Sequence, residues 1–193
     1  MNKILTYILI FLTFSCVDKK NKTETQTSLN EQSETEISDS EKTKKTIFDK
    51  VFRKINEIEY FKNYENGISS VINYEESRWE YVFVEMVNDN KRIIILEKIV
   101  ETGKPEKKYQ ILDTIHINNF KENEFTSFGV CQNNGKADSR IFTRIERTEN
   151  DFDLDLEYYS KIKSAWKTNL KTKKIEKMTE INGIMCMNES YGI

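Results

Sequence analysis

Apolar and polar positions change their period several times along this chain. Residues 4 to 14 are apolar almost without a break, interrupted only by Thr6, Tyr7 and Thr13. From Asp18 to about Lys45 the only aliphatic residues are Leu29 and Ile37. Such a stretch cannot bury enough apolar surface to offset chain entropy, so a disordered segment is expected. Then Ile47, Phe48, Val51, Phe52, Ile55 and Ile58 recur three and four apart, with Asp49, Lys50, Arg53, Lys54 and Glu57 between them. That spacing predicts an amphipathic helix over residues 46 to 61. Asn63 and Asn66-Gly67 are expected to end it.

Strand patterns follow. Residues 79 to 87 and 92 to 100 are rich in aromatic and β-branched side chains, with Asn88-Asp89-Asn90 as the turn between them. Trp79, Tyr81 and Phe83 alternate with Val82, Val84 and Met86, so both faces of these strands should be covered. Residues 109 to 117 alternate, with Tyr109, Ile111, Ile115 and Ile117 on one side and Gln110, Thr114 and His116 on the other. Further strands are expected at 125–131, 141–148, 175–181 and 184–187. Residues 152 to 158 alternate strictly, with Asp153, Asp155 and Glu157 outward. Residues 159 to 169 fit a strand or a helix equally, and 170 to 174 read as a polar hairpin tip. The expected fold class is α+β: one N-terminal helix packed on a mainly antiparallel β-sheet of about six to eight strands. A single domain over residues 46–193 is long enough to enclose its own core.

The first residues change the picture. Met1-Asn2-Lys3 is a short basic start, and the apolar run after it is about half the roughly 20 residues a spanning helix needs. It ends on the small Ser15 before Cys16, the pattern of an export signal. Thr13-Phe14-Ser15-Cys16 resembles the lipobox of bacterial lipoproteins, in the looser form of Bacteroidetes-type bacteria. The resemblance covers the first 17 residues. It implies that residues 1–15 are a signal peptide and that the sulfur of Cys16 carries lipid, palmitate included. Residues 16–45 would then be the lipidated cysteine and its tether, with a reach of about 30 Å. Two or more acyl chains hold a protein firmly on a membrane. Val17 stands where Asp favours inner-membrane retention in these families. Asp18-Lys19-Lys20 is not a dense acidic surface-export signal. The implied place is the cell envelope, on the outer membrane facing the periplasm.

Lipid on Cys16 leaves Cys131 and Cys186 of the three cysteines. An even pair in an oxidising compartment is expected to be bridged. Two buried thiols, or one reactive thiol, are the alternatives.

Catalytic patterns are sparse. Thirty basic against 32 acidic side chains leave a net charge of −2, and no basic stripe argues for nucleic acid. His116 is the one histidine; a Cys–His dyad with Cys131 or Cys186 is conceivable, a structural histidine simpler. Asp153, Asp155 and Glu157 on one strand face would stand about 6.8 Å apart at each step. That spacing fits glycosidase or calcium chemistry in principle, and equally any solvated strand face. No phosphate-cradling loop, nucleophile elbow or paired CxxC motif occurs, and no metal or other cofactor is implied.

The expected function is a membrane-anchored envelope lipoprotein with a non-catalytic binding module for a protein, glycan or small ligand. The alternative is a periplasmic inhibitor or immunity lipoprotein against a hydrolase or toxin. In size and expected disulfide the chain resembles the small lipoproteins that inhibit lysozyme, without their Ser-Gly signature. An enzyme ranks third.

Overall fold

The computed structural model describes residues 47–48, 50–74, 79–102, 107–148, 156–159 and 161–191. Among them are twelve strands: β1 (Val51–Phe52), β2 (Glu65–Ile72), β3 (Tyr81–Asn88), β4 (Lys91–Glu101), β5 (Lys108–Ile117), β6 (Glu124–Phe128), β7 (Cys131–Asn133), β8 (Lys136–Ala137), β9 (Ile141–Glu146), β10 (Ile162–Asn169), β11 (Lys174–Lys177) and β12 (Ile184–Cys186). They form a five-stranded sheet in the order β1-β5-β4-β3-β2, a four-stranded sheet β11-β10-β9-β6 and a three-stranded sheet β12-β7-β8. Every pairing is antiparallel.

The fold is therefore mostly β, not α+β, and the expected N-terminal helix is absent among the described residues. Among the described residues there, only Ile47 has α-helical backbone. Val51–Phe52 is extended and pairs with Gln110 and Tyr109 of β5. Two 3-10 turns follow, Ile55–Glu57 and Glu59–Phe61, joined by an extended Ile58. The physical reason lies in the spacing. Ile55, Ile58 and Phe61 are three apart, and residues i and i+3 eclipse in a 3-10 helix, so two short turns aim all three inward. They are buried with Ile47 and Phe52 against Met86, Ile93, Ile95 and Ile111 of the five-stranded sheet. The β-branched Val51, Ile55 and Ile58 also lack strong helical preference. The segment is an irregular cover that buries Ile47, Phe52, Ile55 and Ile58 of the expected apolar face and leaves Val51 56 % exposed.

The opposite face of that sheet packs on the four-stranded sheet. Tyr81, Phe83, Ile94 and Leu96 meet Phe128, Phe142 and Trp166. Phe83 and Phe142 make an edge contact with centroids 5.2 Å apart, and Phe142 stacks on Trp166 at 5.1 Å. Such pairs add about 0.5–1.5 kcal/mol beyond area burial. Toward the β3–β4 turn this apolar interface gives way to charge. Thr126 donates to Glu85 Oε1 at 2.8 Å, and Phe120 lies within reach of the Arg92 and Arg144 guanidiniums, 4.6 and 5.2 Å from its centroid.

A bulge in β5 corrects the alternation read there. Leu96 pairs with Asp113 and Glu97 with Ile111, so Leu112 is extra. An extra residue reverses which side later residues face. Tyr109 and Ile111 therefore join the core under the N-terminal cover, whereas Ile115 and Ile117 join the core between the sheets. The segment expected as one strand at 125–131 breaks at Gly129 (φ +76) into β6 and β7. Of the ambiguous 159–169, Ile162–Asn169 is strand β10. Trp79 precedes β3 and is 64 % exposed rather than facing the core.

Candidate functional site

The edge strand β2 borders a groove of about 510 Å³. One wall is β2, through Ile68, Ser69, Ser70 and Val71, continued by Asn73 just after it. Phe128, Gly129 and Val130 form the floor, and Ala137, Ser139 and Glu189 the far wall. Among the described residues, two unpaired edges thus border the same groove, since β2 ends the five-stranded sheet and β8 ends the three-stranded one. Edge strands present free backbone N–H and C=O groups on their outer side.

The local sequence explains how the floor comes so close to β2. Gly129 has φ +76, and a Cβ there would overlap the Ser70 hydroxyl. Only glycine combines that backbone with that approach. Upstream, β2 carries a bulge between Asn66 and Ser69. Gly67 lies over Glu85, where a Cβ would run into the buried carboxylate, and Ile68 N–H reaches Glu85 Oε2 at 3.4 Å. The bulge turns the Ile68 side chain outward, 46 % exposed.

The far wall is fixed by charge. Asp138, between the lining residues Ala137 and Ser139, is buried. It accepts from Arg140 Nε at 2.8 Å and Nη2 at 2.7 Å, and pairs with Lys167 at 2.9 Å. Burial works to raise the Asp138 pKa, but these partners outweigh it and hold the carboxyl below its ordinary range. The Arg140 guanidinium covers the Tyr74 ring at 3.3 Å, and Asn73 N–H donates to Ser139 Oγ at 3.0 Å, closing one end of the groove. Glu189 is held by the chain around it. Met187 N–H donates to Val130 C=O at 3.1 Å and Asn188 N–H to Glu157 C=O at 2.8 Å. Just before them Cys131 and Cys186, directly opposite on β7 and β12, are joined by a disulfide. The Thr143 hydroxyl lies 3.2 Å from Cys186 Sγ. The bridge and its surroundings leave neither cysteine for a catalytic dyad.

The residues singled out earlier fall elsewhere. His116 pairs with Ile93, is half-buried, and meets Tyr60 edge-on with centroids 6.3 Å apart. Asp153 and Asp155 lie outside the described residues, as do Cys16 and the tether. Glu157 is exposed and outside any strand, although neighbouring Tyr158 bridges to Met187. Among the described residues, no three His, Cys, Asp or Glu side chains are grouped to hold a metal ion.

Two charged features were missed. Glu124 has a fully buried side chain between Arg144 (Nε, 2.8 Å) and Lys163 (3.0 Å). Burial opposes its charge, yet the Lys121 backbone N–H, Arg144 and Lys163 together lower its pKa. Lys163 is raised, first by Glu124, and also pairs with Glu146 at 3.3 Å. This network closes on itself and reads as structural. Glu97 is the opposite case. It is 3 % exposed beneath the N-terminal cover, and its Oε1 has no hydrogen-bond partner. Burial pushes its pKa from 4.5 up to about 8. Tyr109 beside it is raised by burial and then by the charge of Glu97. A lone charged residue in the run Ile93-Ile94-Ile95-Leu96-Glu97 was the available signal for it.

No protein-family model, no curated protein and no solved structure matches this chain.

Proposed function

We propose that the protein is a lipid-anchored envelope lipoprotein whose β domain is a binding module, with the groove beside β2 as its binding face. The groove carries this reading: a concave surface floored by a glycine and bounded by two sheet edges that are open among the described residues, with walls fixed by ion pairs and a disulfide. Binding sites combine concavity with a few placed polar groups in this way. Ser69, Ser70 and Ser139 supply hydroxyls, Ile68 and Val71 supply apolar surface, and Glu189 supplies charge. The signal-like first 17 residues support the anchor, with lipid on Cys16 and the tether holding the domain off the membrane.

Two measurements test the two halves. Palmitate labelling should mark the mature protein, and Cys16→Ser should abolish the label and release the protein from membranes. An unlabelled mature product starting at another residue overturns the anchor. In the groove, Ile68→Lys and Ala137→Lys replace exposed side chains and should leave the melting temperature within about 2 °C of wild type, a surface-substitution effect. The same variants should abolish the loss-of-function rescue that wild type gives in the producing bacterium. Full rescue by both overturns the groove as the binding face.

A further inference from the structure

Resting on the binding-module reading, we infer that the groove takes an extended peptide segment of a partner protein, which adds as a sixth strand beside β2 and places a basic side chain against Glu189. The row of β2 backbone groups calls for an occupant whose own backbone is extended. A single small molecule satisfies one or two such groups, whereas a strand satisfies alternate residues all along the edge.

The walls narrow the chemistry further. Floor and β2 side are small or hydroxylated where they approach most closely, at Gly129 and Ser70, so the docked face of the peptide carries small or β-branched side chains. Ile68, turned out by the bulge, offers an apolar contact at the open end. The closed end, at Asn73 and Ser139, limits how far the strand extends. Charge supplies the last element. Among the described residues, Glu189 on the far wall and Glu65 at the head of β2 carry no ion pair, in contrast to Asp113, Glu124, Asp138 and Glu146, each matched to a basic group. An arginine or lysine in the peptide completes that side.

The test uses the full chain, labelled with 15N, and a blocked peptide of about eight residues: alternating threonine and valine with one central arginine. A second peptide has glutamate in place of arginine, and a third is N-methylated at alternate residues. At peptide concentrations up to ~2 mM, where weak complexes saturate, amide exchange at Ser69, Ser70 and Val71 should slow in an alternating pattern. The N-methylated peptide should give no slowing. The glutamate peptide should bind at least ~10-fold more weakly, and Glu189→Lys should reverse that preference. Unchanged exchange at saturating peptide overturns the inference, as does equal binding of the N-methylated peptide. Equal binding of the arginine and glutamate peptides overturns the assigned charge. If the edge amides stay unchanged while Ile68→Lys and Ala137→Lys still abolish rescue, strand addition fails and the binding face survives. If rescue is also untouched, both fail.

Discussion

Glu97→Met is expected to make the protein more stable at pH 8 and to flatten its stability between pH 5 and pH 8. The sign follows from which state holds the proton. Glu97 titrates near 8 in the folded protein against an ordinary 4.5. Between those values the folded chain keeps a proton that the unfolded chain has lost. Stability is therefore full below about pH 4.5 and falls as pH rises, by about 1.4 kcal/mol per pH unit, levelling off once the folded carboxyl is ionised. The whole loss is on the order of 5 kcal/mol, comparable with the net stability of a small domain. Glu124 and Asp138 act in the other direction. Their pKa values are lowered by basic partners, so their contribution is present above the ordinary carboxyl range and disappears as pH falls. Together these groups place the stability maximum near about pH 5. Denaturant melts from pH 4.5 to 8.5 check it. Wild type should lose stability steadily toward pH 8 while Glu97→Met stays level. Parallel profiles for the two proteins would show that Glu97 is not the cause.

Removing the Cys131–Cys186 bridge has the second large effect. The two cysteines are 55 residues apart in sequence. Closing a loop of that length in the unfolded chain is worth about 4 kcal/mol in the chain-entropy model. For a domain of this size that corresponds to a fall in Tm of about 8–16 °C. The damage should begin at the groove, because the bridge ties β12 to β7 just before Met187 and Asn188 hold the Glu189 segment in place. Thermal melts check it: the fall in Tm on adding reductant should match the fall in Cys131→Ala/Cys186→Ala. A reduced protein melting within 2 °C of the oxidised one would mean that antiparallel pairing alone holds this corner.

Strand positions were legible where two-sided burial leaves little choice. The runs around Phe83 and Ile95 could only be central strands, and Asp89-Asn90 could only be their turn. The helix over residues 46 to 61 was misread because apolar spacings of three and four are shared by α-helices, 3-10 turns and a short strand feeding them. Which of these forms depends on the sheet beneath, here Met86 and Ile93. Strand β2 was missed for a related reason. Asn66-Gly67 reads as a stop signal in isolation, but Gly67 serves a bulge over Glu85, a residue 18 positions later. The His116 face was misjudged because one bulge at Leu112 cannot be seen in the alternation. The cysteine pairing was legible from parity once Cys16 was set aside. The groove was not, because its walls come from β2, the β6–β7 junction, the β8–β9 turn and the C-terminal segment. Nothing in the residues themselves announces that Ser70 and Gly129 meet.

The most direct test of the groove is site-specific photo-cross-linking in the producing bacterium. A photoreactive amino acid at position 68 should yield a discrete adduct of higher mass, and one at position 171, on the β10–β11 turn, should yield none. Adducts from position 171 with none from 68 would place the binding face elsewhere and contradict the account.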